Sequence, residues 1–194
     1  MPPLTLALLP RVIHRHTSIA DITIIYPAEV TRYRELAESI AKAIAARGFT
    51  GPECITDLSL MPKRSTPLPE TYREKNLIVL GDLNTNRTLQ PLYANYLCST
   101  DATYPGGDGY DLRTIVNPYG TGTNLVLVGG SSLRGVERAV EKLLGAIASS
   151  DVDAGLPFLF EVELAPTLAG QLASWPYTPL EDSAELQALR SRGL

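Results

Sequence analysis

The chain has 194 residues, 44% of them hydrophobic and 20% charged, with a formal net charge of -4. That length suits one domain with an appendage, or two very small ones, and it is enough to bury a real core. No apolar run approaches the roughly 20 residues needed to cross a bilayer, and the acidic balance argues against a general polyanion binder, so neither membrane nor nucleic acid is expected as a partner.

The start, MPPLTLALLPRV, has a short apolar patch interrupted by Pro10 and no basic region ahead of it, which does not make a signal peptide. A secreted or periplasmic parent protein stays open, because a piece of a longer chain can lack its export signal. Arg11, His14, Arg15 and His16 form one basic cluster, read as a solvated N-terminal extension over residues 1–19. His14 and His16 also make an HxH pair, but no third metal ligand is predictable, and no metal or other cofactor is expected. Cys54 and Cys98 lie far apart and read as two ordinary thiols.

Ala20 to Tyr26, ADITIIY, is rich in β-branched residues and stops at Pro27, the pattern of a first strand. From Thr31, as a capping residue, an amphipathic helix is predicted through Tyr33, Leu36, Ala37, Ile40 and Ile44, with Gly48 past its end. Gly51 to Glu70 carries Pro52, Pro62, Pro67 and Pro69 and reads as a long surface connection with a short extended piece near Cys54 to Leu58. A loop this long hides an edge strand or is an insertion that covers a site.

Asn76 to Leu80, NLIVL, is a short strand buried on both faces, ended by Gly81. Asn84, Thr85 and Asn86 offer caps for a helix holding Leu89, Leu92, Tyr93 and Tyr96, with Pro91 in its first turn. Gly109 to Val116 alternates, turn residues fill Asn117 to Thr123, and TNLVLVG returns, which predicts a β-hairpin. After Gly129 and Gly130, Ser131 or Ser132 caps a helix striped by Leu133, Val136, Val140, Leu143, Leu144 and Ile147. Leu156 to Leu164 closes the set as a strand.

The predicted order is β-α-β-α-β-β-α-β, an α/β sandwich with a mixed four- to five-stranded sheet and helices mainly on one face, spanning residues 20–164. A tail over 165–194 follows, with Pro166, Pro176 and Pro179 before a polar helix from about Glu181 to Arg190.

No complete catalytic motif is present. VLVGGSSLRGV leads a strand into a helix through glycines, the setting of a phosphate cradle. It lacks the lysine of a Walker loop and the GxGxxG of a dinucleotide site, so the Gly129–Ser132 turn is read as structural, with small-ligand or phosphate binding through Gly130 and Ser131 as the alternative. Ser131 also fails as a nucleophile elbow, since Leu133 stands where glycine is needed. Asp101, Asp108 and Asp111 surround Tyr104 and Tyr110, a mixture that suits sugar stacking or acid/base chemistry but is read first as the residues of tight turns. Arg113 is placed to pair with one of these aspartates. Tyr104, Asp108, Tyr110 and Arg113 are therefore the candidate ligand-binding rim, and Trp175 with Tyr177 is a further aromatic pair that stacks on sugar or anchors the tail.

The buried strand NLIVLGD, the strand GYDLRT, the strand NLVLVGG and the helix opening SSLRGVERAVEKLL together resemble a known pattern. It is that of the small α/β domain preceding the catalytic domain in glycoside-active enzymes, notably β-hexosaminidases and α-glucuronidases. There a strand with a Gly-Tyr start is followed by a strand ending in glycine and a helix beginning near a Gly-Val pair, here Gly135 and Val136. The resemblance covers about Ala20 to Leu164. It implies a non-catalytic accessory domain that packs on the catalytic domain of the same polypeptide, in a polysaccharide-degrading hydrolase or lyase. No catalytic residue transfers with it, and the chain alone is expected to be inactive. The chain departs from the pattern in its proline-rich connection at Gly51 to Glu70 and in the tail to Leu194. A carbohydrate-binding module using Tyr104, Asp108 and Tyr110 is the third reading, with carbohydrate as partner.

Overall fold

The computed structural model describes residues 16–150 and 155–173. His14, Trp175, Tyr177 and the helix expected at 181–190 lie outside the described residues.

The apolar runs found in the sequence become the centre of one mixed sheet. Six strands lie in the order β3-β2-β4-β6-β5-β8: β2 is Ile22–Tyr26, β3 Glu53–Thr56, β4 Asn76–Gly81, β5 Tyr110–Ile115, β6 Leu125–Gly130 and β8 Phe160–Glu163. Among the described residues the count is six, one more than the upper expectation. The extra strand is β3, which pairs in parallel with β2 at the edge, its register running from Thr23 opposite Glu53 to Tyr26 opposite Thr56. β2, β4 and β6 are also mutually parallel, and β5 runs antiparallel to both β6 and β8. The closing segment is divided: β7, Leu156–Pro157, pairs instead with β1, His16–Thr17, as a separate two-stranded ribbon.

Strand alternation divides the core in two. Ile24, Ile78, Leu80, Val126, Val128, Tyr110 and Leu112 face the long helices α1, Thr31–Ala45, and α5, Leu133–Ser149. Ile25, Leu77, Val79, Leu125, Leu127 and Ile115 face the other way. That second face is covered by short pieces: α2, Asp57–Leu60; α3, Glu70–Arg73; a 3-10 turn, Arg87–Leu89; and α4, Gln90–Ala94. Successive residues of NLIVL thus enter opposite cores, which explains a strand with no polar face.

Two local expectations are corrected. Thr31 is the first residue of α1 rather than its cap; Val30 holds the cap position with extended backbone and no side-chain bond. The helix expected near Leu89 to Tyr96 is a 3-10 turn followed by five α-helical residues, because Asn86 caps the tighter turn by accepting from the Thr88 N–H and Pro91 enters within the first turn of α4. Past Glu163, Ala165 is buried, its N–H donates to the Pro105 carbonyl at 3.0 Å, and α6, Pro166–Ala173, follows.

Candidate functional site

β5 is the strand on which the candidate residues converge, and its parity decides where they go. Tyr110 and Leu112 face α5, whereas Asp111 and Arg113 face the short-helix side. Tyr110 is fully buried; its ring lies 5.2 Å from the Arg138 guanidinium, and its hydroxyl is hydrogen-bonded to Glu161 on β8. Arg138 in turn donates to Glu163 at 2.7 Å, and Lys142, one helical turn on, pairs with Glu161 at 2.9 Å. The i,i+4 spacing on α5 matches the i,i+2 spacing on β8. The Tyr110 hydroxyl and the Lys142 ammonium hold the Glu161 carboxyl below the usual carboxylate range.

On the opposite face Arg113 binds Asp111 bidentately, and Asp111 also accepts from Thr100 Oγ1 at 2.8 Å. Burial alone would lower the Arg113 pKa; the hydrogen bonds and charge of Asp111, with the Tyr104 phenol, raise it instead. The Phe160 ring lies 5.3 Å from the same guanidinium. Tyr104 therefore belongs with Arg113, and Tyr110 lies on the other side of the sheet: the two tyrosines do not form one platform.

Asp108 belongs to a third place, the start of α5. Ser132 caps the helix, accepting from the Gly135 N–H at 3.1 Å, and its hydroxyl donates to Asp108 Oδ1 at 2.9 Å. Ser131 ties two loop segments together, accepting from the Gly106 N–H at 2.8 Å and donating to the Asp101 carbonyl at 2.6 Å. A Cβ on Gly130 would come within 2.6 Å of the Val136 nitrogen, so β6 and α5 meet backbone to backbone there. At this helix start the space is filled by protein, and a carboxylate already faces it.

The structure also assembles polar residues to which the sequence reading gave at most a capping role. β2 leads through α1 to β3 on one side, while β4 lies on the other, so the carboxyl ends of β2 and β4 flank the point where strand order reverses, a usual ligand position in α/β sheets. Buried Asp57 bridges it, accepting from the Ala28 N–H and the Arg87 N–H, each at 3.0 Å. Buried Asn86 donates to the Leu80 carbonyl at 2.8 Å, and Asp82 accepts from Asn84 and Thr85. A polar cleft of about 200 Å³ opens beside them, lined by Tyr26, Thr31, Arg34 and Thr56. The signal available in the sequence was the run DLNTN directly after a buried strand. Among the described residues no group of three or more His, Cys, Asp or Glu side chains is placed to hold a metal, and no helix is long and apolar enough to cross a membrane.

No protein-family model matches this chain, and no curated protein matches it significantly.

Proposed function

We propose that this chain is a non-catalytic N-terminal accessory domain of a polysaccharide-degrading hydrolase or lyase, packing on and positioning the catalytic domain of the same polypeptide. The observation that carries this reading is the edge of the sheet at β8. Among the described residues its outer edge has no strand partner in the sheet order, and two phenylalanines stand out at its start, Phe158 at 49% and Phe160 at 68% exposure. An unpaired edge with exposed rings invites association, and a packed neighbour removes both exposures. The resemblance in NLIVLGD, GYDLRT and SSLRGVERAVEKLL supplies the kind of neighbour.

The internal bonds of the candidate rim agree with a structural role. Arg113, Tyr110, Asp108 and Ser131 each engage partners within the domain, which favours a rigid packing unit over a sugar platform. The phosphate reading of Gly129–Ser132 draws less support, because Asp108 and the loop before it occupy the helix start.

The test has two arms. The chain alone, incubated with xylan, chitin, alginate and a glycosaminoglycan, is expected to release no reducing ends or unsaturated uronates; robust turnover of any of them overturns the proposal. Hydrogen exchange of the chain with the catalytic domain from the same reading frame, added in trans, is expected to slow at residues 156–163.

A further inference from the structure

The outer edge of β8 has the backbone geometry to take another strand. β8 bonds to β5 through alternate residues: the Thr114 N–H donates to the Leu159 carbonyl at 2.8 Å, and the Glu163 carbonyl oxygen lies 2.6 Å from where a Cβ on Gly109 would stand. Backbone groups alternate in direction along a strand, so those of Phe160 and Val162 point away from β5. Among the described residues no group bonds to them. The run FLFEVE, Phe158 to Glu163, carries no proline or lysine, and its register with β5 runs without a bulge from Phe160 to Glu163. Of the usual devices that keep an edge from pairing, only charge is present here. At the other edge, β3 follows Pro52 and runs straight into α2.

That charge is neutralised within the domain. On the α5 face Glu161 pairs with Lys142 at 2.9 Å and Glu163 with Arg138 at 2.7 Å, while on the short-helix face the strand presents Phe160 and Val162, opposite Arg113 and Asp111 of β5. A period of two reads the same in either direction. An antiparallel copy of β8 therefore sets apolar residues beside apolar ones on one face and ion pairs beside ion pairs on the other. Each Glu161 brings its own Lys142 to such a seam, so the seam carries no net charge and each ammonium stands near the second copy's carboxylate. A foreign strand would have to supply that complement itself.

We infer that the free chain pairs with a second copy of itself through β8, antiparallel about a two-fold axis normal to the sheet and centred on Glu161. Phe160 then lies opposite the second copy's Val162 and exchanges N–H···O=C bonds with it, and the two sheets become one. Phe160 and Val162 of each copy cover one another on the short-helix face. A single edge strand makes a small interface, well short of the roughly 2,000 Å² of obligate dimers, so the pair dissociates on dilution. This inference concerns the chain by itself and does not rest on the accessory-domain reading. Both use the same edge, so a catalytic domain that packs there displaces the second copy.

The test is sedimentation velocity of the full chain at neutral pH, from about 1 to about 500 µM, with amide exchange read residue by residue at the dilute and concentrated ends. A monomer–dimer equilibrium is expected across that range. On concentration, exchange is expected to slow about tenfold at Phe160 and Val162, whose N–H groups point outward, and less at Glu161 and Glu163, already bonded to β5. Val162→Pro removes an outward N–H that β5 does not use, so the fold is kept and dimerisation is expected to weaken at least about tenfold. A monomer at every concentration overturns the inference, as does a dimer in which Phe160 and Val162 slow no more than Glu161 and Glu163. So does a Val162→Pro chain that folds and dimerises like wild type. Each of these outcomes leaves the edge free for a catalytic domain, so the accessory-domain reading stands or falls by its own test.

Discussion

Arg113 grips Asp111 through two parallel bonds, Nε to Oδ1 and Nη2 to Oδ2, both 2.6 Å long. They stand two residues apart on β5 and so share a face, and Asp111 has no exposed surface at all. Removing the guanidinium leaves a buried carboxylate with Thr100 as its one remaining side-chain donor among the described residues. Breaking a buried pair on one side costs about 3–5 kcal/mol, whereas replacing both partners by apolar groups is often close to neutral. Arg113→Met is expected to lose about 3 kcal/mol in urea denaturation, and Asp111→Leu with Arg113→Met to recover most of it. A single variant as stable as wild type would mean that water reaches Asp111.

The glycines around α5 divide by what a methyl group would meet. At Gly130 an added Cβ lies 2.7 Å from the Gly135 carbonyl carbon, and at Gly109 it lies 2.6 Å from the Glu163 carbonyl oxygen. Neither neighbour is a flexible side-chain end, so Gly130→Ala and Gly109→Ala are each expected to cost about 1–3 kcal/mol as overpacked contacts. Gly145, in the interior of α5, meets nothing within 4 Å. Gly145→Ala should stabilise by about 0.5–1 kcal/mol through helix propensity and a less free unfolded chain. Thermal melts of the three variants check the ordering.

The loop before β5 should contribute to acid sensitivity. Burial of Asp101 acts to raise its pKa, but hydrogen bonds from the Thr103 hydroxyl and N–H, the Tyr93 hydroxyl and the Tyr104 N–H outweigh it and hold the carboxyl below its ordinary 3.8. A folded-state pKa below the unfolded value gives stability that is complete above the unfolded value and is lost as pH falls through the folded one. The loss therefore falls below about pH 4. Urea midpoints measured from pH 6 to pH 2.5 should drop less steeply for Asp101→Asn than for wild type. Parallel curves would remove Asp101 from the account.

What the sequence made legible was whatever local pattern dictates. The runs at β2, β4 and β6, the hairpin and the stripe of α5 follow from composition and period, because burial on one or both faces requires them. β3 was only half visible, since Glu53–Thr56 is short, carries an exposed edge glutamate and sits among prolines. The division of the closing segment was not visible, because β7 is defined by pairing with β1 some 140 positions earlier, and such pairing leaves no local trace. The rim was legible in part: the pairing of Arg113 with a neighbouring aspartate was expected, and Asp111 is its partner. Proximity in sequence suggested that Tyr104 and Tyr110 share a surface, but strand parity puts Tyr110 under α5 while Tyr104 joins Arg113 behind the sheet.

The two cysteines should differ in reactivity although both are free thiols. Cys98 is buried in the short-helix core, and burial pushes its thiol up to about 11, beyond what the neighbouring Thr100 backbone and Arg113 offset. Cys54 on the edge strand β3 is half-buried, and burial followed by the carboxylates of Glu38 and Glu53 raises it as well. Because the thiolate is the nucleophile, a pKa near 11 instead of about 8.5 lowers the reactive fraction at pH 8 by roughly two orders of magnitude. Burial adds a steric barrier that only opening of the α4 region removes. Iodoacetamide at pH 8, followed by mass spectrometry, is expected to label Cys54 slowly and Cys98 far more slowly, with both modified promptly in 8 M urea. Labelling of Cys98 at the rate of Cys54 in native buffer would show that the 87–98 segment opens freely, and the packing of Leu89 and Leu92 against the sheet would then need revision.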